Sequence, residues 1–222
     1  RGDAVRVLDD FSDAPYPAVR KRENEEALRR DFTATFEVFR GCVSDRALAT
    51  RVAEGTEGIL HLAGLAGVRP SFADAARYAK VNVEGTANML DAAQRQGHDS
   101  FVLASSSSVY GNATPLPAGE DAPAIVPESL YASSKRGAEL IASAMVRKTP
   151  HMRCPSLRFF TVYGPRQRPE MAITTFLRAI LDGQPITVFG DGSMRRDFTH
   201  VEDIVRGVIA AADRAPAGFR VY

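Results

Sequence analysis

Residues 101–111 read Phe-Val-Leu-Ala-Ser-Ser-Ser-Ser-Val-Tyr-Gly, and this stretch decides the fold. The run Phe101 to Ala104 is continuously apolar rather than alternating, as in a strand covered on both faces of a parallel sheet. Four hydroxyls, Ser105 to Ser108, follow at once. Doubly wound sheets bind ligands outside the carboxyl ends of their strands, so this polar surplus reads as a site for a ligand's hydroxyls or as a serine-rich loop.

Outward from this strand the same pattern recurs. Apolar runs ending in polar or glycine residues lie at Val5 to Leu8, Thr35 to Phe39, Gly58 to Ala63 and Leu157 to Phe160. Helical stretches separate them, roughly at 20–30, 45–53, 71–95 and 131–147. Strands alternating with amphipathic helices predict a doubly wound α/β domain, a Rossmann-like parallel sheet wound through right-handed crossovers. After residue 160, Gly164, Pro165, Pro169, Gly183, Pro185, Gly190 and Gly192 punctuate short elements, and a helix is expected at 202–213. The expected division is 1–163 for the sheet domain and 164–222 for a smaller substrate-binding region, incomplete and interleaved with the last sheet elements. The chain opens on a turn feeding a strand and stops inside an apolar segment, Phe219 to Tyr222, which implies a further piece at each end.

Composition narrows the class. Of 222 residues, 45% are hydrophobic and 25% charged, as in globular domains. The formal net charge of +1 gives no global pull toward nucleic acid or anionic lipid. No run approaches the roughly 18 apolar residues of a membrane span, and no apolar signal region opens the chain. Cys42 and Cys154 form neither a disulfide framework nor a metal signature, so no metal is expected and a reducing cytoplasm is the default. Only Lys21, Lys80, Lys135 and Lys148 are lysines, which makes the position of each informative.

Tyr131 and Lys135 stand four apart at the start of the 131–147 helix, on one face. An ammonium beside a phenol favours phenolate, so the pair predicts a tyrosine whose pKa falls from about 10 and which takes a proton from an alcohol. Asp9, at the tip of a strand, fits either a turn former or an acceptor for the ribose hydroxyls of a dinucleotide, where it would repel a 2′-phosphate and favour NAD over NADP. The small residues of Leu62-Ala63-Gly64-Leu65-Ala66-Gly67 permit close backbone approach to a ligand, or close packing. His61 reads as a structural histidine.

These segments, with LRFFTVYGPRQRPEMA at 157–172 and GDGSMRRDFTHVEDI at 190–204, resemble the extended short-chain dehydrogenase/reductase family, and within it the NAD-dependent nucleotide-sugar 4-epimerases, above all those of UDP-glucuronate. The resemblance implies a catalytic trio of Ser106, Tyr131 and Lys135. It places NAD against Asp9, Asp10, Ser12, Cys42, Val43, Leu62, Ala63, Gly64, Asn82, Ala104, Tyr131 and Lys135. A UDP-sugar would meet Arg69, Ser106, Ser107, Ser108, Phe160, Thr161, Arg168, Met171, Val188 and Arg196, the last on the diphosphate. A homodimer through the helices of 71–95 and 131–147 is also implied.

Two departures from the family pattern are informative. Cys42 stands where many relatives carry an Asp that contacts adenine, leaving Val43 or the backbone to serve. Thr161 stands where galactose-type enzymes commonly carry Asn, while the glucuronate enzymes pair a Thr here with an Arg seven residues on, as Arg168 is. The implied reaction is C4 epimerisation of UDP-glucuronate to UDP-galacturonate through a transient 4-keto sugar, with Thr161 and Arg168 gripping the carboxylate so that it is not lost as CO₂. UDP-glucose/galactose epimerisation and a non-catalytic NAD-binding sensor are the alternatives.

Overall fold

The computed structural model describes residues 2–32, 35–188 and 190–222. Its centre is β4 (Ser100–Ser106), every residue of which is buried. Neighbouring side chains of a strand point to opposite faces, and the core divides accordingly. Phe101 and Leu103 join Val43, Ala49, Met89, Leu90, Ala93, Ala142 and Val146 on one side. Val102 joins Leu157 and Val208 on the other.

The helices over the first face are α2 (Arg46–Ala53), α5 (Gly85–Arg95) and α6 (Leu130–Val146). The second face is covered by α8 (Val201–Arg214). Polar side chains cap three of these helices, because the first amides of a helix lack internal partners. Asp45 accepts from Leu48 N at 3.0 Å for α2, Ser129 accepts from Ala132 N at 3.1 Å for α6, and His200 Nδ1 accepts from Glu202 N at 3.4 Å for α8.

All ladders are parallel. The main sheet runs β3 (Gly58–His61), β4, β5 (Arg153–Phe159) and β8 (Gly218–Val221), with His61 opposite Leu103 and Ser106 opposite Phe159. A separate pair joins β1 (Val5–Asp9) to β2 (Phe36–Arg40), flanking α1 (Ala18–Asp31). A third pair joins β6 (Thr161–Tyr163) to β7 (Phe198–His200). This is the expected doubly wound class.

Three details differ from the sequence reading. Burial on both faces holds for β4 and for most of β5, over which α8 packs, but Leu60 of β3 and Val5 of β1 are about half exposed. The strand expected from Leu157 begins earlier, as β5 at Arg153, where Arg153, Pro155 and Ser156 interrupt the apolar signal, and the sheet continues to β8. The helix expected over 71–95 is broken into α3 (Val68–Ser71), α4 (Ala75–Tyr78), a π-helical turn at Ala79–Glu84, and α5. Asp74 caps the restart by accepting from Arg77 N at 3.0 Å. One more helix, α7 (Ala172–Leu181), lies in the Gly- and Pro-punctuated region with no residue buried. Among the described residues no helix is long and apolar enough to cross a membrane.

Candidate active site

The end of β4 and the first turn of α6 bring Ser106, Tyr131 and Lys135 together. Ser106 Oγ accepts from Ser108 N at 3.2 Å, which starts the 3-10 turn Ser107–Tyr110 and fixes the hydroxyl at the strand's end. The phenol of Tyr131 comes near enough to the same Ser106 side chain for that hydroxyl to lower its pKa. Lys135 is buried, and its Nζ donates to the carbonyl of Ala104 at 2.9 Å.

The electrostatics correct the expected Tyr–Lys relation. Burial raises the Tyr131 phenol above its ordinary value; the neighbouring Ser106 side chain and then the Arg168 charge pull it back down. Burial instead lowers Lys135 itself to about 8, and its ammonium is turned to the Ala104 carbonyl. A desolvated phenol keeps its proton unless nearby positive charge or donors compensate, and Arg168 and Ser106 are the groups that do so here.

Beside this trio opens a cleft of about 790 Å³. Asp9, Asp10, Ser12, Cys42, Val43, Leu62, Ala63, Gly64, Arg69, Arg168 and Met171 all line it. Asp9 accepts from Phe11 N at 2.7 Å and Asp10 from Ser12 N at 2.9 Å, so these carboxylates shape the turn after β1 and also face the cleft.

The loop Leu62–Gly67 is clamped from below. Asn82 Oδ1 accepts from Leu65 N at 2.7 Å, while its Nδ2 donates to Leu65 O at 3.0 Å and to Ser134 Oγ at 2.9 Å. Tyr78 OH donates to Ala66 O at 2.8 Å. With its amide committed, Asn82 shapes the cleft wall rather than facing the cleft. A Cβ on Gly64 would lie 3.0 Å from both Asn82 Oδ1 and Lys135 Nζ, so a side chain here would have to push its neighbours aside by a few tenths of an ångström. That narrow approach at Gly64, with the Lys135 amine behind it and the Asp9 carboxylate elsewhere on the cleft wall, fits a dinucleotide lying along the cleft.

Other expected residues lie elsewhere. Ser105 turns inward to Glu139, at 2.6 Å. Ser107 and Ser108 are half-buried in the turn beyond Ser106. Phe160 borders a second, apolar cavity of about 490 Å³ between β5 and α8, and its ring lies 6.4 Å from that of Tyr110. Thr161 pairs with Phe198 at the start of β6. Val188 and Arg196 are exposed and outside the cleft; Arg196 Nη1 donates to Arg195 O at 2.7 Å. His61 is buried against Thr86 Oγ1 at 3.0 Å, and burial drives its pKa down to about 3, keeping it neutral.

The cleft also contains residues that the sequence reading passed over. Lys21 lies 4.0 Å from Asp10 and 3.4 Å from Ser12 Oγ; its scarcity as a lysine was the signal available for it. Glu170 lines the cleft and pairs with Arg168 at 3.1 Å. Tyr78 sets its ring edge-on to Tyr131 at 6.4 Å.

Fold and site together define a Rossmann-like domain of the extended short-chain dehydrogenase/reductase type. The chain belongs to the NAD dependent epimerase/dehydratase family, whose model matches residues 5–222. It is 38% identical over 207 residues to the probable UDP-glucuronate 4-epimerase of Rhizobium meliloti (strain 1021), covering 91% of this chain and 60% of that protein. It is 38% identical over 221 residues to UDP-glucuronate 4-epimerase 3 of Arabidopsis thaliana, covering 97% and 50%. The UDP-glucuronic acid 4-epimerase of Bacillus cereus, solved with UDP-glucuronic acid and NAD, superposes with a TM-score of 0.83 at 32% identity, covering 98% of this chain and 68% of that one. The dTDP-glucose 4,6-dehydratase DesIV of Streptomyces venezuelae superposes at 0.88 and 31%, covering 100% and 66%. The chain thus spans 60% and 50% of the length of the two curated relatives.

Proposed function

We propose that this protein epimerises a UDP-sugar at C4 with NAD as cofactor, and that the sugar is glucuronate. The observation that carries the reading is the convergence of Ser106, Tyr131 and Lys135 at the end of β4, next to Gly64 and Tyr78, which line a cleft of dinucleotide size. The relatives named for the glucuronate reaction support the substrate class.

In this reading Asp9, Asp10 and Ser12 hold the adenosine ribose, Cys42 and Val43 border the adenine, and the backbone of Leu62, Ala63 and Gly64 lines the middle of the cofactor. NAD, when bound, supplies a reversible hydride acceptor for the sugar's C4. Tyr131 exchanges the proton of the 4-hydroxyl, Ser106 hydrogen-bonds the reacting oxygen, and Lys135 holds the nicotinamide ribose, with its charge available once the Ala104 bond is shared. Arg168 is the group for the sugar's carboxylate, since a guanidinium matches a carboxylate with two parallel donors. Residues 1–163 form the cofactor half and 164–222 contribute the substrate half, with β8 returning to the main sheet. A cytoplasmic homodimer through the α5 and α6 faces completes the proposal; Leu140, exposed on α6, supports that surface.

The neutral-hexose alternative has its own support in the Arg168–Glu170 pair, which already occupies the guanidinium. The test is incubation of the protein and NAD with UDP-glucuronate and, separately, UDP-glucose, with the nucleotide sugars separated by chromatography. UDP-galacturonate from the first and little product from the second is the expected result. The reverse preference overturns the uronate assignment, and binding of both without conversion of either leaves a sensor rather than an enzyme.

A further inference from the structure

One buried charge lies outside the cleft and is unused by the reading above. Glu139 is 0% exposed, on the α6 stripe that carries Tyr131 and Lys135 at spacings of four. Its Oε1 accepts from Ser105 Oγ at 2.6 Å and from Arg158 Nε at 2.9 Å. Its Oε2 accepts from Arg158 Nη2 at 3.0 Å and from Arg136 Nη1 at 2.8 Å. These donors hold the carboxyl below its ordinary pKa despite burial.

A buried ion pair is weak grounds for stability, because desolvation offsets most of the attraction. What such a pair does supply is geometry, and this one converges on the trio. Ser105 is the residue before Ser106 on β4. Arg158, on β5, lies over the Tyr110 ring at 4.7 Å and donates from Nη1 to Glu120 O at 3.3 Å, which braces the turn that starts at Ser106. Glu139 therefore ties to one point the strand end that carries Ser106, the turn that follows it and the helix that carries Tyr131 and Lys135.

We propose that Glu139 and Ser105 are positioning residues that set how Ser106 stands against the Tyr131 phenol. This rests on the reading that the trio performs the proton transfer. Misplacing reacting groups by a fraction of an ångström is costly in rate while leaving binding nearly intact. Removing the Ser105 hydroxyl loosens Ser106, moves it from the phenol and so raises the Tyr131 pKa, because the Ser106 side chain lowers it.

The experiment compares Ser105→Ala, Ser105→Thr and Glu139→Gln with the wild-type full chain. Expected for Ser105→Ala is a fall in kcat of about tenfold, the worth of one lost hydrogen bond to a charged group, with KM for the UDP-sugar and the melting temperature little changed. The Tyr131-dependent limb of the pH profile moves to higher pH, and Ser105→Thr restores both rate and profile. Glu139→Gln, if it folds, loses more. An ultraviolet titration of the phenol, with Tyr131→Phe as blank, reads the same shift without turnover. An unmoved phenol titration in Ser105→Ala, with unchanged kcat, overturns the positioning role even when Tyr131→Phe is inactive. A Tyr131→Phe variant that keeps its activity overturns instead the proton-transfer reading, and the positioning role in that reaction with it.

Discussion

Lys135 Nζ donates to the backbone carbonyl of Ala104 at 2.9 Å, and this bond, rather than one to the Tyr131 phenol, satisfies the buried amine. The end of β4 and the helix α6 are joined through it. The buried ammonium has consequences for stability as well as for chemistry.

Burial lowers the pKa of Lys135 from 10.5 to about 8. Below about pH 8 the folded protein carries the full cost of the buried charge, and between about 8 and 10.5 the unfolded chain binds more protons than the folded one, so Lys135 makes stability rise with pH across that window. Urea denaturation from pH 7 to 10 should show this rise in the wild type relative to Lys135→Met. Parallel pH profiles for the two proteins would contradict a depressed lysine.

Tyr131 is raised by burial and lowered by Ser106 and Arg168. Removing either lowering group should push the phenol further up. Ultraviolet difference titration of Ser106→Ala and Arg168→Ala against Tyr131→Phe measures it, and a downward shift in either variant would contradict the arrangement.

Gly64 is a tight position. A Cβ there lies 3.0 Å from Lys135 Nζ and Asn82 Oδ1, tighter than nine in ten such contacts, so Gly64→Ala must shift the amine and the amide by a few tenths of an ångström. Loss of NAD affinity measured by calorimetry, with the fold retained by circular dichroism, is the expected outcome.

Asp9 lines the cleft with one carboxylate oxygen committed to Phe11 N. A 2′-phosphate beside it meets like charge, worth about 1 to 4 kcal/mol at short range depending on exposure, or a preference for NAD of tenfold or more. Asp9→Ala should narrow the gap between NAD and NADP, and equal affinities in the wild type would remove the argument.

Arg168→Ala should raise the KM for UDP-glucuronate about ten- to hundredfold, the range for a charge-assisted hydrogen bond, and release a 4-keto pentose as the ungripped carboxylate leaves. A neutral hexose should feel little of the change. Equal losses on both sugars, with no pentose, would make Arg168 a structural residue.

Much of this was legible in the sequence because its signals are local. Apolar runs such as Phe101 to Ala104 and the i, i+4 spacing of Tyr131 and Lys135 act within one element, and Ser106 follows its strand directly. The misses come from long-range burial. The direction of the Tyr131 pKa depends on what covers the phenol, and the inward turn of Ser105 depends on Glu139, 34 positions away. The break at Asp74 and the π-helical turn before α5 interrupt a helical pattern whose residue types continue unchanged. β5 was cut short because Arg153, Pro155 and Ser156 look like a loop until a neighbouring strand pairs with them.

The most direct measurement is turnover of UDP-glucuronate by Tyr131→Phe beside the wild type, with NAD affinity measured on the same preparations. A positioned proton-transfer group contributes about 10² to 10⁴ in rate, so turnover should fall by at least about a hundredfold while NAD affinity is essentially unchanged. A Tyr131→Phe protein that still epimerises at a rate near that of the wild type would contradict the account.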